Sequence, residues 1–116
     1  MPNMTFQNFR DLLLTIGPPV YHYFASGQTG NYILWAEDSP GGALYADDHM
    51  DRHTIQGTID YYTKAEYDPM ARQIEDTLNA SNVSWYPGPT LYETDTGYIH
   101  HEYVFEIDGV DGDPDA

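Results

Sequence analysis

The sequence predicts an α+β domain, an antiparallel (mixed) sheet of about five strands with two helices packed on one face. Three observations predict it. Two stretches repeat apolar residues at helical spacing between cap and stop residues. Five others alternate, or are rich in aromatic and β-branched residues. Their order is helix, three strands, helix, two strands.

Thr5 is placed to cap the first helix. Phe6, Phe9, Leu13 and Ile16 follow at helical spacing and Gly17-Pro18-Pro19 stops the run, so this helix covers 6–16. "VYHYFAS" (20–26) reads as a short strand and Gln28-Thr29-Gly30 as a turn. "NYILWAED" (31–38) is strongly strand-like. "SPGGALYADDHMDR" (39–52) reads as a long loop, of a length that in a compact domain is usually functional or mobile.

Residues 53–63 alternate, with Ile55, Gly57, Ile59 and Tyr61 on one face and Thr54, Gln56, Thr58 and Asp60 on the other. Gly57 inside this strand predicts a bulge or the close approach of another backbone. Asp68-Pro69 is helix-start chemistry, and Met70, Ile74 and Leu78 form the buried stripe of a second helix over 69–79. "VSWYPGPTLYET" (83–94) is a strand interrupted at Pro87-Gly88-Pro89, which places the interruption at an edge or a bulge. Asp95-Thr96-Gly97 is hairpin chemistry. "YIHHEYVFEI" (98–107) is a strand with Ile99, His101, Tyr103, Phe105 and Ile107 facing one way. One domain is expected over 1–107, with an acidic disordered tail over 108–116.

The composition narrows the function. The formal net charge is -15, and only Arg10, Arg52, Lys64 and Arg72 are positive. Such a surface repels phosphates, so reading or wrapping nucleic acid is not expected. With no cysteine, disulfides and thiolate metal sites are excluded. No apolar run approaches the ~20 residues that span a membrane. The opening "MPNMTFQNFRD" lacks a basic flank and apolar core, so the reading expects a soluble protein made in a cytosol.

Candidate chemistry is sparse. Asp47, Asp48, His49, Asp51 and His53 offer oxygen and imidazole ligands, but their spacing matches no established site, and a solvated acidic loop is the favoured reading. His100 and His101 are adjacent in a strand, point to opposite faces and do not share a metal; His101 falls on the apolar side. No serine or threonine stands in a nucleophile elbow. Glu93, Asp95, Glu102 and Glu106 could pair, but with 19 acidic residues some pairing arises by chance. No catalytic residue, cofactor or metal is therefore expected. The strand aromatics Trp35, Trp85, Tyr61, Tyr86, Tyr92 and Tyr103 read first as cross-strand packing. Eleven tyrosines exceed what a small core holds, so some are expected outside, on a protein-protein surface.

Taken in order, "NYILWAED", "ALYADD", "TIQGTIDYYTKAEYDP", "NVSWY" and "YETDTGYIHHEYVFEI" resemble the small tail-terminator, or tail-completion, proteins of long-tailed bacteriophages and prophages, often described as minor capsid or minor tail proteins. The likeness spans about 5–107 and leaves out the acidic end. It implies a structural virion protein, not an enzyme. Family members form a ring, usually a hexamer, on the head-proximal end of the tail tube, stop tube polymerisation and dock to the head-completion, or stopper, protein. The resemblance thus implies a homo-oligomer, tail-tube and head-completion partners, assembly in a bacterial cytoplasm and a place in the virion neck. DNA would pass through the lumen without specific binding. Within this expectation Leu44, Tyr45, Asp47, Asp48 and Asp51 form an interface or lumen loop, whose negative charge repels DNA within about a Debye length, ~8 Å. The nearest alternative is another neck or head-completion protein. An acidic DNA-mimic inhibitor and a small metal-dependent enzyme are the readings from other classes.

Overall fold

The computed structural model describes residues 5–40, 54–81 and 83–108. Among them are two helices, α1 (Phe6–Leu14) and α2 (Pro69–Asn79), and five strands: β1 (Val20–His22), β2 (Tyr32–Pro40), β3 (Thr54–Thr63), β4 (Val83–Tyr92) and β5 (Ile99–Asp108). The strands form one mixed sheet in the order β1-β2-β3-β5-β4. Only β1 and β2 pair in parallel. The α+β class expected from the sequence is the class observed. β3 and β4 run the same way with β5 between them. α2 carries the chain across one face from β3 to the far edge, and a hairpin returns β5 into the gap.

α1 opens with a reciprocal cap. The Asn8 amide donates to Thr5 Oγ1 (3.0 Å), and the Thr5 amide donates to Asn8 Oδ1 (3.3 Å). The helix ends at Leu14, two residues short of the expected 16. Its last carbonyls are taken by tighter bonds, Thr15 N to Leu12 O and Ile16 N to Leu13 O. Ile16 is buried all the same, which is why its apolar spacing extended the reading. α2 has the expected bounds: Asp68 accepts from the Met70 amide (2.9 Å), and Pro69 occupies the first turn.

β1 is shorter than the expected 20–26. Tyr23 adopts a left-handed φ of 72°, which ends the strand, and Phe24 beyond it is 73% exposed. β2 runs on to Pro40, so Ser39 and Pro40 belong to a strand rather than to a loop. At Gly57 the anticipated close approach of another backbone is observed, and the bulge falls in the strand opposite it. Glu37 pairs with Gly57 and Ser39 with Gln56, so Asp38 is an extra residue bulged out of β2. A Cβ on Gly57 would collide with the Ala36 carbonyl oxygen and lie 2.7 Å from Glu37 Cα and 2.8 Å from Phe105 Cζ. A second bulge falls between Pro87 and Thr90 of edge strand β4. β5 extends one residue further than expected, with Asp108 paired to Thr54.

The core lies between the sheet and the two helices. Phe6, Phe9 and Leu13 of α1 and Ile74 and Leu78 of α2 join Ile33, Trp35, Ile55, Ile59, Tyr61, Tyr103, Phe105 and Ile107 in one cluster. Met70 packs against it as a partly buried member. Phe9 is central, stacked on Phe105 (centroids 4.4 Å apart) and edge-on to Trp35 (5.1 Å). Every sheet residue of the cluster sits on one face, so both helices cover that face, as expected.

Candidate functional site

The residues expected to form an interface or lumen loop, Leu44, Tyr45, Asp47, Asp48 and Asp51, lie outside the described residues, as do His49 and His53. What the structure brings together is the opposite side of the sheet, which neither helix covers.

The strand register orders that face into rows. Tyr32, Tyr62, His100 and Leu91 form one row across β2, β3, β5 and β4. Beside it run Tyr21, Leu34, Asp60 and Glu102, and beyond that Ala36, Thr58, Val104 and Tyr86. The aromatic row is a stack. Tyr32 lies on Tyr62 with centroids 4.6 Å apart, and Tyr62 on His100 at 4.4 Å, both nearly parallel. Tyr98 meets Tyr32 and Tyr62 edge-on, and its hydroxyl is shared between the carbonyls of Gln28 and Gly30 (2.9 and 2.8 Å). The Lys64 ammonium stands 4.9 Å from the Tyr98 ring centroid.

Charge converges on this stack. His100 Nε2 is 2.7 Å from Asp60 Oδ1, and His100 Nδ1 is 3.8 Å from Glu93 Oε2. The hydrogen bond to Asp60 raises the His100 pKa above its ordinary value against the opposing effect of burial, and the charges of Glu93 and Glu102 add to the rise. Burial, and then the charge of Asp60, push the Tyr62 phenol up to about 12. Asp60 and Glu102 stand directly opposite each other on neighbouring strands. Like charges so placed cost stability.

His101 faces the other way, as the alternation requires. It lies over Tyr61 (centroids 6.1 Å apart), and burial lowers its pKa. Around it the face is tied to α2. Asn31 Nδ2 donates to the Tyr61 hydroxyl (2.9 Å), which donates to Asp68 (2.6 Å), and the Tyr103 hydroxyl bonds Glu75 (3.1 Å). Burial pushes the Asp68 carboxyl up, but hydrogen bonds from Thr63, Tyr61 and the Met70 amide outweigh it and hold the pKa low. This network docks a helix on a sheet.

A third cluster closes the β1 edge. His22 is sandwiched between Trp35 and Tyr23 (3.9 and 4.1 Å between centroids) and lies 2.7 Å from Glu37 Oε1. The Tyr23 hydroxyl donates to Glu37 Oε2 (2.5 Å). That bond, with burial behind it, pushes the Tyr23 phenol up to about 12. These contacts hold Tyr23 in its strained conformation.

Of the aromatic residues singled out in the sequence, Trp35, Tyr61 and Tyr103 are buried, Trp85 is partly buried, and Tyr86 and Tyr92 are exposed at 59% and 64%. Glu93, Asp95, Glu102 and Glu106 divide between the hairpin and the uncovered face. Among the described residues, no group of three or more His, Asp or Glu side chains could hold a metal ion. The stack of Tyr32, Tyr62 and His100 beside Asp60 was not anticipated. The alternation puts Asp60 on the outer face of its strand, but only the register between β2, β3 and β5 places the four side by side.

No model of a known family matches the chain, and no curated protein sequence does. No helix among the described residues is long and apolar enough to cross a membrane.

Proposed function

We propose that this chain is a structural virion protein, a ring-forming tail terminator that caps the tail tube, stops its polymerisation and joins the tail to the head-completion protein. The observation that carries an assembly role is the uncovered sheet face. It presents Tyr32, Tyr62, Tyr86, Leu91 and Val104, all at least partly exposed, on a chain whose other sheet face is already packed under two helices. Aromatic and aliphatic side chains presented in this way favour a protein partner. Both sheet edges are poorly suited to strand addition: β1 has three residues, and β4 carries Pro87 and Pro89. Neighbours therefore meet through side chains, in the heterologous contacts that close a ring. The particular role rests on the resemblance of the five sequence stretches to tail-terminator proteins. In this reading the protein is not an enzyme, needs no cofactor, and acts in the virion neck after assembly in the bacterial cytoplasm.

The test is mass photometry with and without the tail-tube protein of the same genome. A six-fold ring, alone or capping tubes of defined length, is the expected result. A monomer that neither caps nor shortens tubes would overturn the terminator reading. Binding to a portal or adaptor instead of the tube would move the protein to the head side of the neck. The described acids do not favour a DNA mimic, since they are spread over α1 (Asp11), α2 (Glu75, Asp76), the hairpin (Asp95) and the uncovered face (Asp60, Glu102).

A further inference from the structure

We propose that the segment 17–27, with β1 at its centre, is a strap that opens as a local unit, and that the Glu37 carboxylate holds it shut until that carboxylate is protonated. The inference does not rest on the virion reading.

The strap is lightly built into the sheet. β1 has three residues, and its pairing with β2 covers Ile33, Leu34 and Trp35. The bonds at its two ends run from the Ile33 amide to the Pro19 carbonyl and from the Tyr23 amide to the Trp35 carbonyl, both 2.8 Å. Tyr21 adds a hydrogen bond to Gln28 (3.1 Å), and Val20 a partly buried contact with the core. Gly17 and Gly27 flank the segment with φ of 129° and 71°, and a Cβ on either would meet nothing within 4 Å. Glycines so placed turn without steric cost. Beyond Gly27 the Tyr98 hydroxyl pins the carbonyls of Gln28 and Gly30, so the movable part ends there.

Two features oppose closure. Tyr23 is held in the left-handed region at φ 72°, which its Cβ disfavours. Trp35 Nε1 is buried without a hydrogen-bond partner among the described residues, and His22 covers that ring. Opening uncovers the ring to water, which offsets the cost of the orphan donor.

One side chain stands against both. Glu37 takes His22 on one oxygen (2.7 Å) and the Tyr23 hydroxyl on the other (2.5 Å), at the point where the chain leaves β1. The Glu37 side chain is only 15% exposed, and an ionised carboxylate accepts hydrogen bonds more strongly than the neutral acid. Gly57, opposite it on β3, has no side chain to replace those bonds. Burial pushes the Glu37 carboxyl up, but bonds from Tyr23, His22 and its own amide, with the charge of His22, outweigh burial and hold the pKa low. Asp38, beside it, acts on Tyr23, while α1 meets Trp35 with Phe6 and Phe9, which do not titrate. A pKa lowered in the closed state means that Glu37 favours closure above the ordinary glutamate value, about 4.3, and ceases to as pH falls through the lower closed-state value.

The test is amide hydrogen exchange, followed by NMR on the isotope-labelled full chain and expressed as protection relative to intrinsic rates. Tyr23 and Ile33 report the strap, and the β3 amides report the sheet. At pH 7 the strap should open at least about tenfold more often than β3, with exchange that low urea hardly changes. Glu37→Gln should raise strap opening about tenfold and leave β3 within about twofold. Tyr23→Phe, which removes one hydroxyl from an exposed side chain, should raise it about threefold and keeps the proposal testable if Glu37→Gln disturbs the fold. The Trp35 indole proton should follow the strap. Moving from pH 7 to pH 3 should raise strap opening, relative to β3, in the natural protein and add little in Glu37→Gln. Asp95→Asn makes the same change of charge on the hairpin and should leave the strap unchanged. Strap and β3 amides exchanging together would make the strap part of the global folding unit and overturn the proposal. So would an undiminished acid response in Glu37→Gln, because another group would then be the trigger.

Discussion

Adjacent in the chain, His100 and His101 sit in opposite environments. His100 is on the uncovered face, stacked on Tyr62 and bonded to Asp60, and its pKa is raised. His101 is on the helix-covered face, over Tyr61, and burial lowers its pKa. The same division runs through the whole sheet. One face is closed by apolar packing and by hydroxyls that tie α2 down. The other holds aromatic rings and carboxylates that neither α1 nor α2 covers. One face makes the core, and the other carries rings and charges outside it.

The sharpest way to break that comparison is to truncate one large side chain on each face. Phe105, 1% exposed, packs on Phe9 and closes over Gly57. Phe105→Ala should cost about 3–5 kcal/mol through lost burial and the cavity left behind. That is a large share of the stability of a domain this size. Tyr86, 59% exposed on the other face, should cost no more than about 0.5 kcal/mol when changed to Ala. Urea denaturation of the two variants checks both values. Comparable losses would mean that the second face is also part of the folding core.

The histidines sharpen the comparison through pH. A raised folded-state pKa means that His100 contributes stability that is fully present below its unfolded pKa, about 6.5, and is lost as pH rises through the higher folded value. A lowered one means that His101 contributes stability present above about 6.5 and lost as pH falls through the lower folded value. Replacing each with Gln should therefore change the stability-pH profile on opposite sides of about pH 6.5. Imidazole proton shifts followed by NMR give the direct check: His100 should titrate at the higher pH and His101 at the lower. The reverse order would place the two rings in the wrong environments.

The helix-covered face was largely legible in the sequence, and the other face was not. Local chemistry announced Thr5, Asp68 and Pro69 as helix starts. Alternation announced Ile55, Ile59 and Tyr61, and Tyr103, Phe105 and Ile107, as core. Gly57 signalled its tight spot because only a missing Cβ fits between Ala36 and Phe105. Errors fell where tertiary contacts override local pattern. β1 stops at His22 because Tyr23 is drawn to Glu37 and stacked on His22, and helix α1 tightens before Ile16 while keeping that side chain buried. The stack of Tyr32, Tyr62 and His100 joins three strands up to 68 positions apart, counting from Tyr32 to His100. A period of two tells which face a residue takes. It does not tell which residue on another strand lies beside it.

The smallest expected effect separates the two faces most clearly. On the covered face, removing the Asp68 carboxylate should destabilise, because it holds Tyr61 and the start of α2. Glu102 on the other face should do the reverse. Glu102→Gln keeps the side chain's size and removes one of two opposed charges, so the protein should gain about 0.2–0.5 kcal/mol, a value held down by partial exposure. For a domain of about 100 residues that corresponds to a Tm rise of roughly 1–3 °C. The gain should shrink in high salt, which screens the repulsion. Calorimetry at two salt concentrations reads both effects. A loss of stability instead would mean that Glu102 is held by favourable contacts within the fold. A gain would show a residue the fold is better without, which is the behaviour expected of a side chain retained for a partner rather than for the domain itself.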